Sequence, residues 1–392
     1  MGSTATEIYH GSYNSAMGNY ALYSNTTGFH NSAMGNYALY SNTTGFRNSA
    51  MGNYALYSNT EGYYNSAMGH SALYSNTTGS NNSAMGNYAL YSNTTGFRNS
   101  AMGNYALYSN TEGYYNSAMG HSALYSNTTG SNNSAMGNYA LRSNTTGSNN
   151  SAMGHSALYS NTTGGANSAM GYFALISNTT GYYNSAMGNY ALYSNTEGQD
   201  NSAMGSYALF SNTTGNYNIG IGYNAGDNIT TGSNNIIIGA NVDAPNAEGD
   251  NQLNIGNAIY GDLSSGKIGI GTPTPNRKLK VNGDAGGTTP WYNDSDARLK
   301  TNVQTISNAL EKVEKMRGVS FSWIDTENHP KGQHIGFIAQ ELKDVLPEVV
   351  DKKGEYYSVQ ESSITAILVE AIKEQQKQIE DLKAQIKTLK HQ

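Results

Sequence analysis

The feature that most constrains the fold is a five-residue motif, NSAMG, which recurs at an unvarying spacing of 17 residues. No insertion or deletion interrupts the series, and a thirteenth, altered copy begins at Asn218 as NIGIG. Tandem units of this length indicate a solenoid in which each coil packs on the next. The twelve intact copies begin at Asn14, Asn31, Asn48, Asn65, Asn82, Asn99, Asn116, Asn133, Asn150, Asn167, Asn184 and Asn201.

Comparison of the copies separates fixed positions from variable ones. Besides NSAMG, each copy repeats the pair Ala-Leu, the triplet Ser-Asn-Thr and a closing Gly. This composition disfavours a helix. We predict two short strands per coil, around NSAMG and ALYS, joined by turns at Gly and at NTTG. In this arrangement Met and Leu form ladders inside the coil, while Asn and Gly hold the turns. The fixed alanines fall at positions whose side chains point to opposite faces of the predicted strands. This indicates that both faces are covered, the outer one by other copies of the chain.

Tyrosine dominates the variable positions and allows two interpretations. Tyrosine favours strands and packs well in ladders, which is the interpretation we prefer. Alternatively, the aromatic faces stack on sugars of a carbohydrate ligand. The variable residues are partly duplicated, because residues 46–90 are identical to residues 97–141.

The charge distribution shows that the chain changes character along its length. Residues 1–217 contain only eight Asp, Glu, Lys or Arg residues, whereas residues 295–392 contain 29. The formal net charge of −6 and the lack of a basic stripe argue against a nucleic-acid partner. No apolar run reaches the length of a membrane span, so we expect no membrane partner. Without cysteine, disulfides and thiolate metal sites are excluded.

In residues 218–294 we expect the 17-residue register to break, although the residue types remain those of the repeats. Its acidic residues are possible calcium ligands, but their spacing matches no known calcium loop, and its GIG segments lack the spacing of nucleotide-binding loops. We therefore predict no cofactor and no metal. The acidic residues are Asp227, Asp243, Asp250 and Asp262. The predicted strands lie at residues 234–242, 253–261, 267–275 and 278–284.

The charged C-terminal segment contains SDARLKTNV, GQHIGFIAQEL, LPEVV and ILVEAIKE in that order. Over about residues 294–380 it resembles the intramolecular chaperone auto-processing domain found at the C-terminus of phage tail spikes and fibres. The repeats in turn resemble the head repeats of trimeric autotransporter adhesins and related phage-fibre repeats. The resemblance implies a domain that trimerises, guides the folding of the preceding shaft and then cuts itself off before a serine.

Carried over to this sequence, the resemblance places the scissile bond at Asp294–Ser295, with Ser295 as nucleophile and Lys300 as its base. Asp296 and Arg298 would position the segment. A serine hydroxyl needs a partner to accept its proton, and a lysine can do so only when desolvation or a nearby cation lowers its pKa. We expect burial at a trimer interface to supply that desolvation, which would make cleavage conditional on assembly.

The spacing of these residues sets a structural condition. Side chains five residues apart do not meet within one regular helix or strand, so either a turn brings Ser295 and Lys300 together or the helix starts after Ser295. The alternative is that Ser295 is only the N-cap of a helix with Asp296 in its first turn. His334 lies near the GFIAQE segment and is either an assistant in proton transfer or, as we prefer, a surface residue.

The C-terminal helix, from about residue 362, carries a heptad seam. Alternating Ile and Leu alone favours two strands, whereas the resemblance implies three, and we follow the resemblance. The seam consists of Leu368, Ile372, Gln375, Ile379, Leu382, Ile386 and Leu389.

We therefore predict a mainly β protein: a trimeric β-roll or β-helix rod of 17-residue repeats, a β-rich shaft, and a small α+β chaperone domain ending in a coiled-coil helix. The expected divisions are a lead (1–13), twelve repeats (14–217), the shaft (218–294) and the chaperone (295–392). The predicted function is that of a homotrimeric virion tail fibre, assembled in the host cytoplasm. Its single enzymatic activity would be one act of self-cleavage, and its partner a host-surface glycan or protein receptor.

Several alternative functions compete with this prediction. The chain could instead be a bacterial cell-surface adhesin with the same chaperone, or the domain could be a trimerisation clamp that never cleaves. A membrane-anchored regulator with such a domain is disfavoured by the missing span. A glycan-degrading spike would need paired carboxylates in a cleft, and the repeats offer only Glu61, Glu112, Glu197 and Asp200.

Overall fold

The computed structural model describes residues 13–283, 295–324, 331–352 and 355–390. The chain divides into two compact units, Met1–Ser265 and Gly266–Gln392. Nearly all of the predicted N-terminal lead therefore lies outside the described residues. Among the described residues, no helix combines the length and the apolar character that crossing a membrane requires.

The first unit is a β-solenoid in which each coil contributes one three-residue strand of sequence SAM. Successive strands pair in parallel and in identical register, so that Ser15 lies beside Ser32 and Met17 beside Met34. The strands are β1 (Ser15–Met17), β2 (Ser32–Met34), β3 (Ser49–Met51), β4 (Ser66–Met68), β5 (Ser83–Met85), β6 (Ser100–Met102), β7 (Ser117–Met119), β8 (Ser134–Met136), β9 (Ser151–Met153), β10 (Ser168–Met170), β11 (Ser185–Met187) and β12 (Ser202–Met204).

The ladder continues past residue 217. Strand β13 (Ile219–Ile221) pairs with β12 and β14 (Ile236–Ile238), and β14 pairs with β15 (Gln252–Ile255), all at an offset of 17. Strand β16 (Ile259–Asp262) then turns back antiparallel to β15. The predicted break in register at residue 218 is therefore wrong. Asn218 and Asn235 still occupy the motif position and keep its inter-coil hydrogen bonds.

The second predicted strand of each coil, around ALYS, is a corner instead. In the second full coil Tyr37 and Leu39 have φ values of 55° and 51°, in the left-handed region that a strand cannot contain. The corner nevertheless joins neighbouring coils, because the Leu39 N–H donates to the Ala55 carbonyl at 3.0 Å. Inter-coil bonding thus continues beyond the strand.

The solenoid core consists of small residues and leucine. Ala33, Ala38 and Leu39 are at most 2% exposed, whereas Met34 is 45% exposed. Side chains alternate between the two faces of a strand, so the alanine of SAM points inward and its serine and methionine point outward. The prediction of buried leucine is confirmed, and that of buried methionine is wrong.

Two asparagine ladders hold the turns, as predicted. The Asn42 amide nitrogen donates to the Asn25 side-chain oxygen at 2.8 Å and to the Gly45 carbonyl at 2.9 Å. The Asn31 amide nitrogen donates to the same carbonyl, and its side-chain oxygen accepts from the Asn48 N–H. A Cβ on Gly45 would lie 2.4 Å from the Asn42 side-chain oxygen, so only glycine fits there. The buried amides are thereby satisfied.

Among its described residues, the second unit contains three strand pairs and three helices. The strands are β17 (Lys267–Ile270), parallel to β18 (Leu279–Val281), and the antiparallel pairs β19 (Gly318–Phe321) with β20 (His334–Phe337) and β21 (Val350–Lys352) with β22 (Tyr357–Val359). The helices are α1 (Ala309–Lys315), α2 (Ala339–Val345) and α3 (Ile364–Leu389), with 3-10 turns at Ala297–Leu299, Pro347–Val349 and Glu361–Ser363. A core of Ala309, Leu342, Leu346, Val349, Ile364, Ile367 and Ala371 joins them.

Candidate functional site

The predicted nucleophile and base flank a short 3-10 turn at Ala297–Leu299. In this turn the Leu299 and Lys300 N–H groups donate to the carbonyls of Asp296 and Ala297, both at 3.1 Å, which winds the chain more tightly than an α-helix does. The Lys300 Nζ atom consequently donates a hydrogen bond to the Ser295 Oγ atom at 2.6 Å. The turn that the spacing requires is therefore present, and the two side chains are in contact.

The residues between them stabilise the turn. Asp296 is its N-cap, because its carboxylate accepts from the Arg298 backbone N–H at 2.8 Å. Its carboxylate also pairs with the Arg298 guanidinium at 2.7 Å. Hydrogen bonds from the Arg298 side chain and backbone lower the pKa of Asp296. The capping role falls to Asp296 and not to Ser295, while Asp294 lies outside the described residues.

The surroundings of the pair are open. Ser295 and Lys300 are both exposed in the single chain. A charged lysine donates to the serine oxygen, whereas a base must accept the serine proton as a neutral amine. His334, the other residue considered, lies on β20 with its ring centroid 5.8 Å from that of Phe321.

Residues 295–351 match the family model described as chaperone of endosialidase, Peptidase S74. The chain carries a C-terminal chaperone domain of this type. The match begins at Ser295, which is the predicted nucleophile. The resemblance to phage tail fibres with a chaperone domain, predicted from the sequence, is confirmed for this part of the chain.

Individual relatives match the same region. Over 104 residues the chain is 39% identical to the long tail fiber protein Gp37 of Enterobacteria phage K3, covering 24% of this chain and 8% of that protein. The phage M1 counterpart is 32% identical over 104 residues, covering 25% and 41%. An uncharacterized membrane protein of Dictyostelium discoideum is 30% identical over 119 residues, covering 27% and 7%. The chain thus spans less than half the length of these relatives.

The tyrosines of the solenoid form continuous stacks. The rings of Tyr40, Tyr57 and Tyr74 lie 5.2 and 5.0 Å apart, with interplanar angles of 4° and 6°. Within such a stack each ring covers the faces of its neighbours, so the edges face the solvent. This geometry supports ladder packing over sugar stacking for the continuous stacks. Arg142 replaces one tyrosine, and its guanidinium lies over Tyr125 and Tyr159.

The acidic residues considered as calcium ligands have other partners. Burial, a hydrogen bond with Asp243 and the nearby Asp243 charge raise the pKa of Asp227 to about 6. Asp262 accepts from two serine hydroxyls, and Asp250 accepts from a backbone N–H. Across the described residues, no three His, Cys, Asp or Glu side chains cluster as a metal site.

Two long-range contacts of the second unit were missed by the sequence analysis. The Glu374 carboxylate of α3 accepts from the backbone N–H groups of Ala309 and Leu310 at 3.0 and 2.8 Å, and so caps α1. The Arg277 guanidinium, in the loop between β17 and β18, donates to the Ser358 hydroxyl at 2.5 Å. No local motif signals either contact, because the partners are more than 60 residues apart in sequence.

Proposed function

We propose that the chain is a homotrimeric fibre of phage-tail type that attaches to a host surface. Its C-terminal domain trimerises, guides folding of the solenoid and is released by self-cleavage between Asp294 and Ser295. The observation that carries the proposal is the 2.6 Å hydrogen bond between Lys300 Nζ and Ser295 Oγ. It lies at the residue where the match to the endosialidase chaperone family begins.

The chemistry follows from the order of atoms in the chain. Ser295 directly follows the scissile bond, so its Oγ atom attacks the Asp294 carbonyl carbon through a five-membered ring. Neutral Lys300 accepts the hydroxyl proton, and the new C–O bond forms as the C–N bond breaks. The amino group of Ser295 leaves with a proton. Water then hydrolyses the ester, which leaves a carboxyl group on Asp294 and restores the serine hydroxyl.

Assembly is the event that would activate the pair. A lysine becomes a base when it leaves water and its pKa falls, yet Lys300 is exposed in the single chain. A neighbouring copy that covers the pair would supply the desolvation. Cleavage would then follow trimerisation and never precede it.

The outer face of the solenoid strands supports self-association. Its methionines form a stripe along β1–β12, which we call the Met stripe, and most members are 44–47% exposed. Half-exposed, the twelve side chains present roughly 600 Å² of apolar area, comparable with the ~800 Å² that one partner gives to a standard interface. Parallel copies share the 17-residue period, so they match the stripe along its whole length.

Helix α3 supports the same conclusion. Its inward face packs in the domain core through Ile364, Ile367 and Ala371. The heptad seam remains outside, with its apolar members 39–69% exposed in the single chain. An exposed seam of this pattern is typical of a helix that pairs with other helices. Those members are Leu368, Ile372, Ile379, Leu382, Ile386 and Leu389.

Intact-mass spectrometry of freshly expressed protein tests the cleavage. We expect the wild type to yield two fragments that meet between Asp294 and Ser295, and Ser295→Ala to stay whole. Lys300→Arg should also stay whole, since arginine can donate to the serine oxygen but does not act as a base. Ser307→Ala, an exposed serine in the same domain, is the matched control and should cleave like the wild type.

Sedimentation on the same samples separates the parts of the proposal. A trimeric wild type that stays whole would refute self-cleavage and identify the domain as a permanent clamp. A monomer that still cleaves would refute the coupling to assembly. A dimer would show that the Ile/Leu seam, and not the family resemblance, indicates the oligomeric state.

A further inference from the structure

One column of the solenoid has a missing ring. The tip column consists of the residue two places before each motif asparagine. In it Phe29, Phe46 and Tyr63 stack with centroids 5.0 Å apart and planes within 4°. Phe97 and Tyr114 form a second stack at 5.1 Å and 6°. Ser80 stands between the two stacks, so one ring is absent from an otherwise continuous series.

The backbone at this gap keeps the regular spacing. The Asn81 N–H donates to the Tyr63 carbonyl at 2.9 Å, and the Arg98 N–H donates to the Ser80 carbonyl at 3.0 Å. Tyr63 and Phe97 are therefore two coil spacings apart, or about 9.5 Å. The gap equals the place of one further ring, bounded by an aromatic face on either side. We call it the rung slot.

The slot is open to solvent. Tyr63 and Phe97 are 40% and 39% exposed, while Phe46, with a ring on both sides, is half-buried. Ser80 forms a recessed floor at 6% exposure. Ser131 is equally recessed at 5%, although only one of the two neighbouring tip residues, Tyr114, is aromatic. The recess therefore does not come from two rings closing over the serine.

We propose that the rung slot binds one pyranose ring of a glycan, stacked between Tyr63 and Phe97. This inference rests on the proposed host attachment and names the ligand class. The apolar C–H faces of a pyranose match two aromatic faces. The Ser80 hydroxyl already donates to the Thr78 carbonyl and accepts from the Tyr63 N–H. The exposed side-chain amide of Asn81, in the same coil, is therefore the polar group that contacts the sugar hydroxyls.

A nucleobase would fit the same width, but the charge distribution disfavours it. Binding of single-stranded nucleic acid needs a positively charged groove along the aromatic platform. The first 217 residues contain only Arg47, Arg98 and Arg142 as permanently basic side chains. Arg98 is engaged with the ring of Tyr115. The neutral, hydroxyl-rich chemistry of a glycan suits this surface better.

The repeats provide matched variants. Ser80→Phe fills the slot with a residue that the tip column already contains at Phe29, Phe46 and Phe97, so the fold should persist. Ser131→Phe makes the same change in the duplicated block, where no second ring faces Tyr114, and serves as the control. Ser148→Phe places a ring one coil beyond Ser131 and thereby creates a second slot.

The test is saturation-transfer difference NMR on the full chain with maltotriose, cellotriose and chitotriose, with calorimetric titration for affinity and stoichiometry. We expect at least one trisaccharide to bind, with about a tenfold or greater loss of affinity in Ser80→Phe. Ser131→Phe should bind like the wild type, and Ser148→Phe should add at least one site per chain.

Three outcomes would overturn the proposal: no trisaccharide binds, binding survives in Ser80→Phe, or an oligothymidylate binds in place of the sugars. Circular dichroism of each variant shows whether the solenoid has folded. Intact mass and sedimentation of the same samples report cleavage and assembly. If trisaccharide binding fails while cleavage and assembly are intact, only the glycan-binding proposal is refuted.

Discussion

At the level of single residues, buried amide hydrogen bonds join each coil of the solenoid to the next. Asn93 shows the pattern, because its side chain donates to Asn76 and to the Gly96 carbonyl and accepts from Asn110. Each such group is fully buried, and an unmatched buried amide would cost about 1–3 kcal/mol. The ladder therefore tolerates only asparagine at this position, which explains its recurrence in every repeat.

The carboxyl pair of Asp227 and Asp243 should make the end of the ladder sensitive to pH. The folded-state pKa of Asp227 is raised to about 6, above the ordinary value of about 3.9. The resulting stabilisation is complete below pH ~4 and is lost as the pH rises through about 6. Burial is the largest cause of the raised pKa, and the hydrogen bond and charge of Asp243 add to it. We therefore expect Asp243→Asn to reduce this loss, so its melting temperature should fall less than that of the wild type between about pH 5 and pH 7.

Thermal unfolding followed by circular dichroism at both pH values measures the difference. Asp250→Asn is the control, since that carboxylate bonds to a backbone N–H and not to another acid. Parallel pH profiles for the wild type and Asp243→Asn would show that Asp243 does not raise the pKa of Asp227.

At the scale of elements, α3 has two separate roles. Its first turns pack against the domain core, and Glu374 caps α1, while the later turns leave the seam exposed. The cap is needed because Asn308, the residue before α1, has a φ of 52° and makes no side-chain cap bond. A long-range carboxylate thus satisfies N–H groups that would otherwise lack a partner at the helix start.

We expect Glu374→Gln to lower the melting temperature of the C-terminal domain by roughly 5 °C at neutral pH. Hydrogen bonds from the Leu310 and Ala309 N–H groups lower the pKa of Glu374. Their stabilisation is present above the ordinary glutamate pKa and is lost as the pH falls. The effect should therefore shrink towards pH ~3.

Differential scanning calorimetry on the full chain carrying Ser295→Ala keeps the domain attached during the measurement. Glu370→Gln is the matched control, because that carboxylate bonds to Lys373 on its own helix. An equal effect of both substitutions would show that the cap contributes nothing beyond helix charge.

Some elements follow from the sequence and others depend on details that it does not carry. The period, the asparagine turns and the inward leucines are dictated by spacing and residue type. In a strand of only three residues, the alternation of side chains between the two faces is satisfied whether alanine or methionine points inward. The sequence therefore does not decide between them. The positive φ of Leu39 has no sequence signal, and neither does the hydrogen bond from the Leu310 N–H to the Glu374 carboxylate. The resemblance supplied Ser295 and Lys300, but only the 3-10 turn explains their contact.

For the molecule as a whole, near-identical coils create a problem of register. A strand shifted by one full repeat would find almost the same neighbours, so the solenoid alone specifies alignment weakly. A C-terminal domain that joins three chains at one level would remove the ambiguity. Such a fibre would remain kinetically stable after the domain has left.

If three copies meet along the Met stripe, its methionines should be protected from oxidation. Oxidation of methionine follows access to solvent and gives the polar sulfoxide. We expect hydrogen peroxide to oxidise these residues about tenfold more slowly in the assembled fibre than in the unfolded chain. Peptide mass spectrometry measures each repeat.

Paired variants test the same surface. Met102→Lys with Met119→Lys should reduce the yield of assembled fibre, because two charges would enter the interface. Asn104→Lys with His121→Lys alters exposed positions off the stripe in the same two coils and should not. Equal oxidation rates in fibre and unfolded chain would show that another face joins the copies.

The unvarying offset of 17 residues also bears on how such genes change. Each coil bonds to the coil before it and the coil after it, so adding or deleting whole repeats leaves every remaining contact as it was. The identity of residues 46–90 with residues 97–141 is what unequal recombination between repeats would leave behind. Such exchanges would lengthen or shorten the fibre by whole coils, and would multiply or remove tip-column variants in one step. The length of the fibre and the residues on its surface could thus evolve through changes in the number of repeats, without a new fold at any stage.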